Sequence, residues 1–249
     1  VPQPNWRDDL RDFKKLGKPR LCFCVSAGAM DSMVNHYTAN IRLRSNDAYT
    51  AGGAAGFRPD YTVTTYTKIL KSLFPDVPVL IGGIEASLRR VTHYDYWKNT
   101  LMPSILIDSG ADFLLYGMGE QVVREVAATM RNGFNPKRIR TIRQVAFVAD
   151  REYVDRLDKE KTIFLNSFEQ CKADKRAFGQ NFVRVETESN LLQAENILDS
   201  AVNKIDHFTG QQPSFSALVS DRYESLCIFS GILYAAVRLK TLALSAGIP

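Results

Sequence analysis

A mostly parallel α/β sheet with helices on both faces is the fold this sequence predicts, and three observations predict it. Short, almost uniformly apolar runs recur at Arg20–Ser26, Val77–Ile81 and Asp112–Tyr116. Each run stops at glycine, at Gly28, Gly82-Gly83 and Gly117 respectively. Segments of helical periodicity lie between them. Strands buried on both faces read as continuous apolar runs, and crossover helices carry the chain between parallel neighbours.

The elements follow in chain order. Asn5 is placed to cap a short helix over Trp6–Leu16, closed by Gly17. The Arg20–Ser26 strand turns at Ala27-Gly28, and Ala39–Pro59, rich in Asn, Asp, Gly and Arg, reads as a long irregular loop. Asp60 then opens a helix through Leu73, with Val63, Ile69, Leu70 and Leu73 apolar and Pro75 ending it. After the Val77–Ile81 strand comes an aromatic-rich stretch, then the Asp112–Tyr116 strand. Gly119-Glu120 opens a helix whose apolar face is Val122, Val123, Val126, Ala127 and Met130, and Asn132-Gly133 ends it. Gln144–Ala149 is a fourth, weaker strand. We divide the chain into residues 1–150, the α/β domain, residues 151–207, a charged and mostly helical connector, and residues 208–249, a tail. The tail carries about 12% charged residues against about 26% before it.

Composition excludes several classes. The 249 residues are 45% hydrophobic and 24% charged, an ordinary soluble balance, with a net charge of +5 that scattered surface Lys and Arg account for. No apolar stretch reaches the ~18–20 residues needed to span a bilayer; Leu226–Val237 is too short. The opening Val-Pro-Gln-Pro has no signal-peptide character, so we expect a cytoplasmic protein with no membrane partner. Four cysteines, Cys22, Cys24, Cys171 and Cys227, form no CxxC pair, and we expect buried, reduced thiols. Arg138, Arg140 and Arg143 lack stacking aromatics at a nucleic-acid spacing, so no nucleic-acid partner is expected.

Three glycine loops leave the carboxyl ends of predicted strands: Ser26-Ala27-Gly28, Gly82-Gly83-Ile84-Glu85 and Gly117-Met118-Gly119-Glu120. Ligands of open parallel sheets bind at that edge, at a reversal of strand order. Neither GxGxxG nor GxxxxGK[ST] occurs, which disfavours a dinucleotide or P-loop site. The densest polar cluster follows the second loop: Glu85, Arg89 and Arg90, then His93, Asp95 and the aromatics Tyr94, Tyr96 and Trp97. The arginines suit carboxylate or phosphate, His93 with Asp95 suits an oriented base although a lone His beside Asp is more often structural, and the aromatics suit stacking on a flat substrate or simple packing. The long loop holds a second polar group, Asp47 and Tyr49, then Arg58-Pro59-Asp60, with His36 just upstream; Asp31 after the first glycine loop is a further candidate. A metal site from His36, His93 and carboxylates has no spacing to support it.

These words resemble, in order, those of the YgiQ family of radical S-adenosylmethionine proteins. Ser26-Ala-Gly-Ala-Met-Asp-Ser-Met33 is similar to its SAGNMDSM, with Ala29 in place of Asn. Asn35-His-Tyr-Thr-Ala39, Asp47-Ala-Tyr-Thr50, Arg58-Pro-Asp60, Gly82–Arg90, His93–Trp97 and Leu165-Asn-Ser-Phe-Glu169 also fit, covering about residues 5–195. The resemblance implies a Rossmann-like, cobalamin-binding-like domain lying before a partial (β/α) barrel. In the full-length family that barrel binds a [4Fe-4S] cluster through CxxxCxxC and holds S-adenosylmethionine for radical formation. This chain has no CxxxCxxC, and it lacks the DxHxxG pattern of a cobalamin ligand. We therefore expect no cofactor in this chain, cobalamin being disfavoured, and a sheet missing its first strand. Its partner is expected to be the radical barrel of the same polypeptide, acting on a substrate the motifs do not reveal. The tail from Phe208 departs from the family's words, and we read it as a truncated or frameshifted end. The expected function is an N-terminal domain not catalytically competent alone; the alternative is a free-standing module for a small anionic or nucleotide-like ligand.

Overall fold

The computed structural model describes residues 1–159, 162–188, 226–229 and 232–233. Its elements are α1 (Arg11–Lys14), β1 (Phe23–Ser26), α2 (Ser32–His36), α3 (Thr62–Leu73), β2 (Val79–Gly82), α4 (Gly83–Leu88), β3 (His93–Asp95), β4 (Thr100–Met102), α5 (Ile105–Ser109), β5 (Phe113–Leu115), α6 (Gly119–Arg131), α7 (Pro136–Ile139), β6 (Val145–Ala149), α8 (Arg151–Asp155), α9 (Phe168–Ala173), β7 (Leu226–Phe229) and β8 (Ile232–Leu233). A further helix runs over 175–188.

The sheet order is β1-β2-β5-β6-β7-β8, with β3 and β4 forming a separate antiparallel hairpin. β1, β2 and β5 are parallel, with Val25 opposite Ile81 and Ile81 opposite Leu114. The mixed α/β, mostly parallel architecture is therefore present. Strand alternation divides the core in two. Val25, Val79, Ile81 and Leu114 face α3 and α5, meeting Val63, Tyr66, Leu70, Ile105 and Leu106. Leu80, Phe113, Leu115, Val145 and Phe147 face the other way, against Val122, Val126 and Met130 of α6 and Ile139 of α7. Side chains of one strand point alternately to opposite faces, so three-residue strands such as β5 serve both cores.

The structure corrects several expectations. β6 runs antiparallel to β5, pairing Leu114 with Ala146. One crossover helix would return the chain to the edge where β5 began. Here Gly133, at φ 103°, breaks the segment after α6, and the α7 segment leads the chain back to the edge where β5 ended. The order follows the chain without reversal from β1 through β8. The crevice that a reversal would open is thus absent among the described strands. The first helix is only four residues long, preceded by Leu10 in the left-handed region. Asp60 does not cap α3, whose preceding residue is Tyr61; it bonds His36 and Tyr37 instead. The aromatic-rich stretch His93–Trp97, given no element in the sequence, supplies β3 over His93–Asp95.

Most of the proposed tail lies outside the described residues; β7 and β8 fall within it. No helix among the described residues is long and apolar enough to cross a membrane.

Candidate functional site: the carboxyl edge of the sheet

All three glycine loops reach the same edge, and they touch. β2 ends at Gly82 and α4 begins at Gly83 without an intervening residue. Gly83 sits at φ 81°, and a Cβ there would lie 2.6 Å from Ser26 Oγ and 3.4 Å from the Gly28 carbonyl. Any side chain at Gly83 would push the first loop away, so glycine is required both by conformation and by space. Ser26 Oγ accepts from the Gly28 amide at 3.2 Å. On the other side, the Gly117 amide donates to Ser87 Oγ at 3.3 Å. Gly119 and Glu120 open α6 beside it, and Glu120 starts the helix with a carboxylate near its positive end.

Beneath this edge lies a buried ionic mesh. Glu85 is 1% exposed, and its carboxylate accepts from the Ser32 amide at 3.1 Å and the Val63 amide at 2.9 Å. Those amides belong to the first turns of α2 and α3, so one side chain of α4 anchors two helix starts. Asp31 caps α2 through the Met33 amide and pairs with the Arg89 guanidinium. Asp47, 1% exposed, accepts from Asn35 Nδ2 at 2.6 Å, the Tyr49 amide at 2.9 Å and Arg58 Nε at 2.9 Å. Arg58 also donates to the Ala27 carbonyl at 3.0 Å and stacks over Tyr49, whose hydroxyl accepts from the Ala29 amide. His36 stands between two carboxylates, Nδ1 3.0 Å from Asp60 and Nε2 3.3 Å from Asp47.

The protonation equilibria follow from this packing. Burial opposes ionisation of Asp47, but the Tyr49 amide, Arg58 and Asn35 outweigh it and bring its pKa down to about 2. Burial dominates at Glu85 and raises its pKa despite Ser32, Val63 and Arg89. At Arg89 burial works against the charge, yet Asp31 wins and raises the pKa. Arg90 and His93 are both shifted down by burial.

The remaining sequence-singled residues sit apart from the mesh. Arg90 donates to the Ser87 carbonyl and lies over Tyr116. His93 Nδ1 lies 3.1 Å from the Val91 carbonyl. Asp95 accepts from Tyr61 at 2.7 Å and from the Lys98 amide at 2.9 Å, so it does not orient His93 as a base. Among the described residues no group of three His, Cys, Asp or Glu is placed to hold a metal ion. The structure therefore joins Asp31, Asp47, Glu85 and Arg89 with Arg58 and His36 through hydrogen bonds and ion pairs to one another and to the backbone, while Arg58 Nη2 and His36 Nε2 stay buried without a hydrogen bond.

Sequence reasoning missed the apolar part of this edge. Met30, Val34, Ile84, Leu88 and Met118 are 44%, 48%, 47%, 60% and 77% exposed. They lie in the Gly28 loop, α2, α4 and the Gly117 loop, the segments that the hydrogen bonds above hold together. Ile84 and Leu88 are four apart on α4 and share an exposed face, while Glu85 and Arg89 next to them in sequence are buried. That spacing was the available signal.

Three comparisons bear on this edge. The Radical SAM N-terminal family matches residues 1–225, past the compositional break at 208. A UPF0313 protein of Porphyromonas gingivalis is 56% identical over 200 residues, covering 80% of this chain and 31% of the relative. A UPF0313 protein of Bacteroides thetaiotaomicron is 50% identical over 217 residues, 82% of this chain and 34% of the relative. One from Clostridium perfringens is 47% identical over 184 residues, 73% and 27% respectively. The chain spans about a third of the length of the curated relatives it matches. No solved structure matches it.

Proposed function

This chain belongs to the Radical SAM N-terminal family, and from that premise we propose that it serves as the substrate- or partner-facing domain of a cytoplasmic radical S-adenosylmethionine enzyme of the YgiQ kind. Its carboxyl edge is the face that meets the catalytic part of the polypeptide. The observation that carries this reading is the division of labour at that edge. Charged groups are spent below it, while five apolar side chains are left in water above it. A surface of that composition suits a protein neighbour better than a small anion, which would need the arginines free.

The radical chemistry of such an enzyme rests on a [4Fe-4S] cluster held by three cysteines. The donor set of this chain does not fit one. Cys22 and Cys24 lie at β1, whereas Cys171 is buried with Sγ 3.7 Å from the Asn166 carbonyl and 3.3 Å from Asn181 Nδ2. Residues 22, 24, 171 and 227 offer no CxxxCxxC spacing. No reaction step is therefore assigned to this chain's residues. Their task is to hold the loops of the edge in one arrangement, through Glu85, Asp31–Arg89 and Asp47–Arg58.

Two measurements test the proposal. The purified chain, reconstituted anaerobically with iron and sulfide, is expected to show no stoichiometric cluster and no cleavage of S-adenosylmethionine to 5′-deoxyadenosine; a cluster with that activity overturns it. Separately, the chain is expected to bind the remaining two-thirds of the Porphyromonas gingivalis relative, expressed on its own. The double substitution Ile84→Lys, Leu88→Lys should weaken that binding by about 2–4 kcal/mol, a loss of roughly 30- to 1,000-fold, as expected for central apolar contacts. Unchanged binding by the double variant removes the edge as the interface.

A further inference from the structure

We propose that Cys22 and Cys24 form a two-thiolate chelating site for a thiophilic metal ion of the zinc or cadmium class on the outer strand of the sheet. Alternation along β1 sends Phe23 and Val25 into the core under α3, and sends Cys22 and Cys24 together to the opposite face. Helix α6 covers that face over β5, where Val122, Val126 and Met130 pack on Phe113 and Leu115. The cover thins toward β1. Cys22 is half-buried beside Leu21, and Cys24 is exposed, which corrects the expectation that both would be buried. The strand pairs with β2 alone among the described strands, so the two sulfurs lie at a sheet edge open to solvent.

The geometry suits chelation. The two Sγ atoms stand 3.9 Å apart, within contact of a shared proton. A tetrahedral ion with metal–sulfur bonds of about 2.3 Å holds two sulfurs about 3.8 Å apart. The pair matches that span without moving the backbone. A disulfide fits less well. Residues i and i+2 of a strand have Cα atoms about 6.6–6.8 Å apart, the upper limit for an S–S bond, so oxidation would bend β1 out of register with β2.

Binding replaces two waters of the hydrated ion with two sulfurs, and the protons still held by the thiols pass to solvent. The other coordination positions keep water.

Titrating cadmium into the reduced full chain tests this through the thiolate-to-metal charge-transfer absorption in the ultraviolet. One ion per monomer is expected. Cys22→Ser and Cys24→Ser should each weaken binding by at least about tenfold, since loss even of a supporting group costs a metal site that much. Cys171→Ser and Cys227→Ser should leave the titration unchanged, and far-ultraviolet circular dichroism reports whether each variant keeps its fold. The inference is overturned if the signal survives in the folded Cys22→Ser or Cys24→Ser protein, if it disappears in folded Cys171→Ser or Cys227→Ser, or if half an ion binds per chain with dimer formation.

Discussion

Replacing Asp47 by alanine is expected to lower the free energy of unfolding by about 3–5 kcal/mol, because it strands a buried guanidinium. Arg58 is 3% exposed, and among the described residues its Nε finds a carboxylate only in Asp47. Asn35 Nδ2 and the Tyr49 amide lose their acceptor in the same step. Against a total of about 5–15 kcal/mol for a domain of this kind, the loss approaches the limit of folding. Urea unfolding at neutral pH measures it, and the double variant Asp47→Ala, Arg58→Met is expected to recover part of the deficit by removing the unpaired charge. A loss below about 1 kcal/mol, the scale of an exposed pair, shows that the mesh does not hold the loop. The dependence on pH has a definite sign. The folded-state pKa of Asp47 is lowered to about 2 from the usual 3.8. Its stabilisation is fully present above 3.8 and is lost as pH falls from there through about 2. The wild-type protein and Asp47→Ala should therefore converge in stability across that acid window.

Glu85→Ala is the second large effect, expected at about 2–6 kcal/mol. It leaves the Ser32 and Val63 amides buried without acceptors, each costing about 1–3 kcal/mol. Unlike a core truncation, it should loosen two distant segments together. Amide exchange at Ser32 and at Val63 is expected to accelerate in parallel, and protection lost at one amide alone rules out a shared anchor. The pH trend at Glu85 opposes that at Asp47. Burial raises the Glu85 pKa, so the folded state prefers the protonated acid. Wild-type stability therefore gains as pH falls into the range between the folded and unfolded pKa values, a gain absent from Glu85→Ala.

Much of the fold was legible because each of the first three strands is a short apolar run cut off by glycine. Gly28, Gly82-Gly83 and Gly117 punctuate the chain where the backbone must turn, and local chemistry decides that. The direction of β6 was not legible. It depends on whether one segment or two separates it from β5, and Asn132-Gly133 reads equally as a helix end or as a midpoint. The long loop looked irregular for a similar reason. Its order comes from Asp47 meeting Arg58 and Asn35, contacts without periodicity. The candidate site was half legible. Asp31, Asp47, Glu85 and Arg89 were singled out as charged groups near glycine loops, and the structure does bring them together. Residue type alone does not say whether such groups face a ligand or one another; burial below one tenth and the bonds they make to one another and to backbone amides say the latter. The exposed Ile84 and Leu88 went unremarked because single apolar residues on a short helix read as core.

The strand order has a consequence for synthesis. Each strand of the sheet lies beside the one made before it, so the growing chain can add strands in the sequence in which they emerge. The mesh does not follow that schedule. Ser32 and Val63 wait for the carboxylate of Glu85, and Asp31 waits for Arg89, separations of 53, 22 and 58 residues. Until α4 has left the ribosome, the Asp47–Arg58 pair can order the loop after α2, but the starts of α2 and α3 have no clasp between them. The stretch from Glu85 to Arg89 is thus the point in translation at which the starts of α2 and α3 become fastened together.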